Sequence, residues 1–291
     1  MAVSVNAFFH QGTGTASYVV VDSSQTYAVV IDSVLDLDMG SGRVSSTIAD
    51  QQLAFIQKHK LELVWILETH AHADHLTAAH YLKQQTQAPV AIGEGILQVQ
   101  RHFSSLFSKH PALADEASGF DHLVKDQEVL TFGDSEIQVL STPGHTDDSV
   151  SYLIDNNLFV GDTLFMPDGG TARCDFPGGD AAKLWASIEK IHKLTDDTII
   201  WVCHDYQPDG REVQIQTTVA QSKAHNIHIN QDTKKQDYIS MRNKRDAGLA
   251  APKLLYPSLQ VNLWGGLLPE PKTNGKRYIC TPITENYGEK S

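Results

Sequence analysis

A cluster of metal-capable side chains constrains this chain more than any other feature of its sequence. An apolar run of strand length spans 61–67, and residues 76–85 have the apolar spacing of a helix with one buried side. Imidazole and carboxylate groups together suit zinc, iron or manganese. The sequence therefore predicts a metal site on a strand-to-helix turn. The potential ligands on this turn are His70, His72, Asp74 and His75.

Three further apolar runs each lead into a metal-capable residue, namely His145, Asp162 or His204. In open α/β sheets, ligands bind outside the carboxyl ends of the strands. Four strands with ligands at their ends therefore predict one site at one edge of a packed sheet. The three further runs span 137–142, 157–161 and 198–203.

The order of these motifs resembles the signature of the metallo-β-lactamase superfamily. THAHADH at 69–75 is followed by PGHT at 143–146, GD at 161–162 and HD at 204–205. The resemblance covers roughly residues 8–210. It implies an α/β fold, an αββα sandwich of two mixed β-sheets flanked by helices, with the metal site on the edge that the two sheets share. In a two-metal member, one metal would be bound by His70, His72 and His145, and a second by Asp74, His75 and His204, with Asp162 bridging.

A second stretch resembles the persulfide dioxygenase branch of this superfamily, also called sulfur dioxygenases. The segment GGTARCDF at 169–176 is similar to the GG-x-x-R-x-DF loop of that branch, and HDY at 204–206 is similar to its last core motif. The resemblance implies one Fe(II) per chain, held by His70, His145 and Asp162. This is the two-histidine, one-carboxylate set of non-heme iron oxygenases.

The same resemblance implies a substrate and roles for further residues. The substrates would be O2 and glutathione persulfide, or another low-molecular-weight persulfide, in sulfide detoxification. Arg173 offers a planar fork suited to a carboxylate, and Lys223 and Asn226 fall where the branch places residues near glutathione. Tyr206 would contribute a hydroxyl to both the catalytic and the substrate site. The groups that would orient ligands and reactants are His72, Asp74, His75 and His204.

The residues alone leave a hydrolase open as an alternative. All seven ligands of a dinuclear site are present, and glyoxalase II shares THxHxDH and also binds glutathione. Two Zn(II) ions would generate hydroxide for the cleavage of glutathione thioesters. Cys174, beside Arg173, fits either inert packing or a thiol that reacts with persulfides. A non-catalytic sensor of sulfur species is disfavoured because every ligand is retained.

Composition indicates a soluble enzyme. The formal charge of −12 over 291 residues disfavours a nucleic-acid partner, since such binding depends on Lys and Arg neutralising phosphates. No run approaches the roughly 20 apolar residues of a membrane helix, and no signal peptide is visible. Three widely spaced cysteines favour a reducing cytoplasm. The family makes a homodimer the expected assembly.

The sequence pattern changes near residue 211, from apolar runs of strand length to polar helical and Pro/Gly-punctuated segments. Residues 1–211 are predicted to form the catalytic core, and 212–291 a C-terminal helical and loop extension packed on it within one structural domain. The core is expected to begin with a hairpin around Gly12 and Gly14 and to carry a loop at 36–46. Helices are predicted at 50–59, 96–108, 180–194 with Asp180 as cap, 212–222 and 237–249, and the Pro/Gly-punctuated stretch is 252–271.

Overall fold

The computed structural model describes residues 2–103, 106 and 119–283. Two six-stranded sheets and one small sheet carry fifteen strands in the described part of the chain. The strands are β1 Ser4–His10, β2 Thr15–Val21, β3 Tyr27–Ile31, β4 Val34–Asp38, β5 Arg43–Ser45, β6 Glu62–Leu67, β7 Leu76–Thr77, β8 Val90–Gly93, β9 His122–Val124, β10 Val129–Phe132, β11 Ser135–Ser141, β12 Val150–Ile154, β13 Asn157–Phe159, β14 Ile199–Trp201 and β15 Gln216–Thr218.

Seven α-helices accompany these strands within the described ranges, and none of them combines the length and apolar character needed to cross a bilayer. They are α1 Thr47–His59, α2 Ala79–Thr86, α3 Ile96–Phe103, α4 Ala181–Ile191, α5 Val219–His225, α6 Lys235–Asp246 and α7 Leu255–Asn262.

Both large sheets are mixed. The first has the order β1-β2-β3-β6-β8-β9, antiparallel up to β3 and parallel beyond it. The second has the order β10-β11-β12-β13-β14-β15, and only its β13–β14 pair is parallel. The small sheet has the order β5-β4-β7. The predicted mixed α/β class is confirmed.

Side-chain alternation along β2 shows how the layers pack. Successive residues of a strand point to opposite faces, and Tyr18 and Val20 belong to the apolar cluster between the two large sheets. Val19 and Val21 point the other way and pack with residues of α1 and α2. The second sheet buries its outer face against α4, through Leu184 and its neighbours. Helix, sheet, sheet and helix therefore form the predicted αββα sandwich.

Several predicted elements are confirmed. The first hairpin pairs β1 with β2 in register, from Ser4–Val21 to His10–Thr15. The predicted helix at 180–194 is α4, and the Asp180 carboxylate caps it by accepting hydrogen bonds from the N–H groups of Ala182 and Lys183. The predicted helices at 50–59 and 237–249 correspond to α1 and α6. Part of the predicted helix at 96–108 lies outside the described residues.

Other expectations were wrong because pairing between distant segments overrides local propensity. Residues 36–46 are not one loop, since β4 pairs there with β5 and only 39–42 form the exposed turn between them. Leu76 and Thr77 are a strand on β4, not the start of a helix. Residues 216–218 extend the second sheet beside β14, and α5 begins only at Val219.

The Pro/Gly-punctuated stretch 252–271 contains a helix that the sequence did not indicate. Helix α7 begins at Leu255 and has Pro257 as its third residue. The first four N–H groups of a helix have no partner within it, so proline is tolerated there. Residues of this extension join the apolar clusters of the sandwich, as shown by Val219, Tyr238 and Val261.

Candidate metal centre

Side chains that follow strands of both large sheets form overlapping groups of potential ligands, and two of these groups contain all seven predicted donors. Cys203 joins two further groups, with Asp32 and His72 and with Asp162 and His204. The ligand atoms within each group lie within 4.8 Å of one another. β6 belongs to the first sheet and β11, β13 and β14 to the second. The donors therefore follow strands of both sheets, as the family resemblance implies, and not of one sheet, as the strand pattern alone indicated. The three-donor group is His70, His145 and Asp162, and the four-donor group is His72, Asp74, His75 and His204.

The three-donor group brings together residues that are far apart in the sequence. One oxygen of Asp162 lies 4.0 Å from Nε2 of His70 and 3.7 Å from Nε2 of His145. The other oxygen lies 3.4 Å from Nε2 of His204, which joins the two groups. His72, which a two-metal assignment places with His70 and His145, lies in the four-donor group, although its ring centroid is only 4.1 Å from that of His70.

Hydrogen bonds fix which ring nitrogen of each histidine is free. Nδ1 of His145 lies 2.7 Å from the backbone carbonyl of Arg173, which can only accept, so this nitrogen carries the proton. Nδ1 of His70 lies 3.0 Å from the Thr69 hydroxyl, which in turn donates to Asp32. Nε2 of both rings therefore presents its lone pair to the site.

The four-donor group is oriented in a similar way by other partners. Nε2 of His72 lies 3.1 Å from the buried Asp32 carboxylate, which leaves Nδ1 as the free nitrogen. The hydroxyl of Thr15 lies 3.3 Å from Nδ1 of His204 and 3.5 Å from Nδ1 of His75. Sequence reasoning missed both Asp32 and Thr15, which are ordinary strand residues by their local pattern.

Buried polar atoms without partners test whether this site fits a metal. Nearly all buried polar atoms in proteins are hydrogen-bonded, so a cluster of unsatisfied atoms requires an explanation. Imidazole nitrogens and carboxylate oxygens that converge in this way match the donor set of a zinc or iron site. The unsatisfied atoms at the site are Nε2 of His70, Nδ1 of His72, Oδ2 of Asp74, Nε2 of His75, Oδ1 of Asp162 and Nε2 of His204.

Electrostatics favour ligation by neutral imidazole at His70 and His72. Burial, together with the neighbouring His72 and His145, lowers the pKa of His70 well below its usual value. Burial and the adjacent His75 lower the pKa of His72 in the same direction. Burial also raises the pKa of Asp162, despite the opposing effect of His204 and His145. A cation at the site would reverse the burial effect on this carboxylate.

The glycines of the motifs have a steric role. Gly144 and Gly161 precede His145 and Asp162, and both have positive φ angles, of 142° and 52°. A Cβ atom on Gly144 would lie 2.3 Å from the backbone nitrogen of Leu184, and one on Gly161 would lie 2.4 Å from the Thr69 hydroxyl. Only glycine therefore lets these ligand loops approach α4 and the first motif.

A cavity of about 1030 Å³ opens onto the donors and is lined by Asp74, His145 and Asp162. Arg173 and Tyr206 also line it. The Tyr206 ring stacks on His204 with centroids 5.6 Å apart and is 64% exposed, so its hydroxyl is accessible. Other lining residues include Asp36, Leu37, Asp38, Met39, Arg43, Phe165, Phe176, His228, Arg245, Leu249, Lys253 and Leu254.

The Arg173 guanidinium is already engaged. Its Nε and one terminal nitrogen donate to the two oxygens of Asp175, both at 2.6 Å, and the other terminal nitrogen donates to the Ala250 carbonyl. It also lies over the ring of Phe176, 5.0 Å from the centroid. Arg173 therefore lines the cavity and fixes His145 through its carbonyl, but its fork is paired with Asp175.

The structure does not bring Lys223 or Asn226 to the cavity. The ammonium of Lys223 pairs with Asp196 at 2.7 Å on the exposed side of α5. Asn226 is buried, donates to the Gly170 carbonyl and accepts from the N–H groups of His228 and Ile229. Asn226 thus holds the glycine loop and places His228, which does line the cavity.

The cavity carries cations that sequence reasoning did not single out. Arg43, Arg245 and Lys253 line it, and among the residues that the structure describes we find no acidic partner for them. They come from β5, from α6 and from the segment between α6 and α7, so only the folded structure brings them to one cavity.

Cys174 is an inert packing residue in this arrangement. Its side chain is buried with Leu184 and Ile188, and its N–H donates to Asp246. Burial, reinforced by the charge of Asp246, raises the pKa of its thiol to about 12. The thiol is therefore protonated at neutral pH, and a persulfide would not meet a thiolate there.

Comparison with known proteins decides the family. A sequence profile described as the metallo-beta-lactamase superfamily matches residues 11–204. The chain belongs to this superfamily. The superfamily profile spans every donor of both groups, from His70 to His204.

Relatives within the superfamily carry different names. A probable metallo-hydrolase of Burkholderia pseudomallei is 45% identical, over 97% of this chain and 99% of the relative. Glyoxylase B2 of Dictyostelium discoideum is 44% identical, over 96% of each chain. Human mitochondrial persulfide dioxygenase ETHE1 is 28% identical, over 70% of this chain and 69% of its own.

Among solved structures, ETHE1 from Myxococcus xanthus superposes with a TM-score of 0.73 and 28% identity. The match covers 91% of this chain and all of that chain. It therefore includes most of the extension beyond residue 211 as well as the sandwich.

Proposed function

We propose that this chain is a mononuclear non-heme iron(II) persulfide dioxygenase that oxidises glutathione persulfide with O2 to sulfite and glutathione, as in sulfide detoxification. One observation carries the proposal: two histidines and one carboxylate, His70, His145 and Asp162, form a donor group beside a large cavity. This donor set is that of non-heme Fe(II) oxygenases. The likeness to ETHE1 over nearly the whole chain supports it.

Fe(II) at this site would supply open coordination positions for sulfur and dioxygen and the electrons that allow triplet oxygen to react. The protein's own contribution is orientation. The Arg173 carbonyl and the Thr69 hydroxyl hold the rings of His145 and His70 with Nε2 facing inward. Phe176 packs edge-on against His145 with centroids 5.4 Å apart and restricts the tilt of its ring.

The overall reaction balances with water as the third reactant, after glutathione persulfide and O2. Both atoms of O2 are transferred to the terminal sulfur of the persulfide, which is oxidised to a sulfinate while the inner sulfur stays bonded to carbon. Water then cleaves the sulfur–sulfur bond, and the products are sulfite and the thiol of glutathione. Tyr206 offers an exposed hydroxyl beside His204 that can donate a hydrogen bond to the oxidised sulfur group.

The cavity accommodates an anionic carrier such as glutathione. We assign its carboxylates to Arg245 and Lys253, which line the cavity without acidic partners among the described residues. Arg173, paired with Asp175, shapes the wall near His145. Lys223 has no part in this proposal because it pairs with Asp196 away from the cavity.

A dinuclear zinc hydrolase that cleaves glutathione thioesters is the second candidate. The observation in its favour is that the four-donor group also has unsatisfied atoms converging on one point. Two Zn(II) ions would supply a metal-bound hydroxide as nucleophile. The relatives named metallo-hydrolase and glyoxylase support this alternative.

Oxygen uptake separates the two candidates. Anaerobically purified protein loaded with Fe(II) should consume one O2 per glutathione persulfide and release sulfite. The matched control is the same protein loaded with Zn(II), which has no redox chemistry and should consume no oxygen. No uptake by protein verified to hold Fe(II), together with thioester hydrolysis by the zinc-loaded form, would contradict the dioxygenase and favour the hydrolase.

A further inference from the structure

The loop that carries four of the seven donors has no regular backbone pairing between β6 and β7. Backbone bonds with Ala91 and Val150 and the Tyr152 hydroxyl hold its first two residues, Glu68 and Thr69. Three buried polar side chains hold further peptide groups. Asp32 accepts from the N–H of Thr69 at 2.8 Å, and Asp148 accepts from the N–H of Ala71 at 2.7 Å. The third is Asn262, the last residue of α7 in the C-terminal extension.

Asn262 is the one of these three side chains that bonds to the backbone of His72 and His75. Its amide nitrogen donates to the carbonyls of His72 and His75, both at 2.7 Å. Its amide oxygen accepts from the N–H of Thr77 at 2.8 Å. The residue is 2% exposed, and it is 190 residues away from His72 in the sequence.

Packing on both sides of Asn262 leaves its side chain little freedom. Leu259 and Leu263 lie in one apolar cluster with Ala71 of the donor loop. Val261 packs in another cluster with Leu76, which follows the loop directly. The end of α7 is further tied to α3, because Gln100 donates to the Leu263 carbonyl. These contacts therefore hold Asn262 in place beside the loop.

The two carbonyls that Asn262 holds belong to donor residues. A backbone carbonyl held at a fixed point restricts the rotation of its own residue, and hence the direction in which the imidazole leaves the chain. Groups that orient metal ligands typically change metal affinity or activity by about 10- to 100-fold when they are removed. Asp32 acts on the side chain of His72, whereas Asn262 acts on its backbone.

We propose that Asn262 is a positioning residue of the metal centre, through which helix α7 of the C-terminal extension sets the backbone of the His72–His75 turn and so the affinity of the site for metal. Asn262 acts on His72 and His75, so the affinity that it sets is that of the metal held by the four-donor group, and the proposal rests on this group binding Zn(II). This role gives the extension a function in the centre itself and not only in covering one wall of the sandwich.

The test measures Zn(II) binding to apoprotein by competition with a chelating dye, and no turnover is involved. Asn262→Ala removes all three hydrogen bonds and should weaken Zn(II) binding by about 10- to 100-fold. Asn262→Asp keeps the side-chain volume and the contact with Thr77, but it places an oxygen against the carbonyls of His72 and His75. It should weaken binding at least as much as the alanine variant.

A matched control lies two residues earlier on the same helix. Gln260 bonds to Tyr256 and to the backbone of Cys280, not to the donor loop. Gln260→Ala should retain wild-type Zn(II) affinity. The absorption spectrum of Co(II)-loaded protein should change in the Asn262 variants and not in the control.

Thermal unfolding of the apoproteins separates positioning from simple stability. Asn262 variants that are less stable but bind Zn(II) as tightly as the Gln260 control would overturn the proposal. If Asn262→Ala does not fold, the isosteric Asn262→Asp decides the question. Because only metal binding is measured, the result does not depend on whether the enzyme oxidises persulfides.

Discussion

The two donor groups have the same chemistry but are assembled in different ways. Three of the four residues in the four-donor group come from one turn at 72–75, and His204 alone is distant. The three-donor group takes His70, His145 and Asp162 from three separate segments. The first group is thus largely local, whereas the second exists only once the two sheets have packed.

Accessibility also differs between the groups. His145 and Asp162 line the large cavity, and from the four-donor group only Asp74 does. His72, His75 and His204 are fully buried or nearly so. A substrate in the cavity therefore meets the three-donor group, while the four-donor group lies behind it. This difference is why we assign the reacting metal to the three-donor group.

Substitution of single donors should show the largest difference between the two donor groups. His145→Ala and Asp162→Ala should each lose Fe(II) and turnover down to background, because each removes a ligand that the iron assignment requires. His204→Ala should retain one iron per chain, with turnover lower by about 10- to 100-fold. Metal content by elemental analysis and oxygen uptake measure both quantities.

Loss of half of the bound metal in variants of either donor group would support the two-zinc alternative. If His204→Ala loses half of the bound metal and His145→Ala loses the other half, the groups are two halves of a dinuclear centre. Full activity in His145→Ala or Asp162→Ala would remove the three-donor assignment.

Asp32 offers a sharper test of how the four-donor group is held. Asp32→Ala leaves the N–H of Thr69 and Nε2 of His72 without their buried partner. Each unsatisfied group costs about 1–3 kcal/mol, so the free energy of unfolding should fall by several kcal/mol. Chemical denaturation measures this loss. Zn(II) affinity should fall by about 10- to 100-fold.

Asp22→Asn is the control for a buried carboxylate outside the site. Burial opposes ionisation of Asp22, but hydrogen bonds from Ser24, Tyr27 and Thr26 outweigh it and lower its pKa from 3.8 to about 2. Because the pKa of Asp22 is lower in the folded than in the unfolded protein, its ionised carboxylate stabilises the fold at pH values above the unfolded pKa. This contribution should be lost as the pH falls from about 4 to about 2. The variant should lose stability at neutral pH and keep wild-type metal affinity; a loss of affinity would show that the Asp32 effect is not local.

Substitution of cavity residues that are not donors should have the smallest effect on the enzyme. Arg245→Gln should raise KM for glutathione persulfide by about tenfold with little change in kcat, since a charge-assisted hydrogen bond contributes about 1.5–3 kcal/mol. Lys223→Gln should leave KM unchanged because Lys223 pairs with Asp196. A raised KM in the Lys223 variant alone would restore the substrate site expected from the sequence.

Much of the site could be predicted because donor identity is a local property. The runs at 69–75, 143–146, 161–162 and 204–205 carry donors at fixed spacing after apolar strands, and the structure brings all seven donors together. The helix cap at Asp180 was equally local, since a capping side chain bonds to N–H groups two and three residues ahead.

Elements whose conformation depends on distant partners were missed. β4 forms a strand because it pairs with two partners, residues 36–38 with β5 and residues 34–35 with β7. Helix α7 was hidden by Pro257, which is harmless in its first turn. Lys223 has the sequence position of a substrate ligand, yet the fold turns it toward Asp196.

The sequence by itself determined the superfamily, the sandwich and the identity of the donors, because these follow from short motifs and alternating strands. Only the tertiary structure decided how the donors are grouped, which cations line the cavity, and that Asp32 and Asn262 hold the donor loop. The physical reason is that a buried polar group must find a partner. That partner can lie 37 residues away, as Asp32 does from Thr69, or 190 residues away, as Asn262 does from His72.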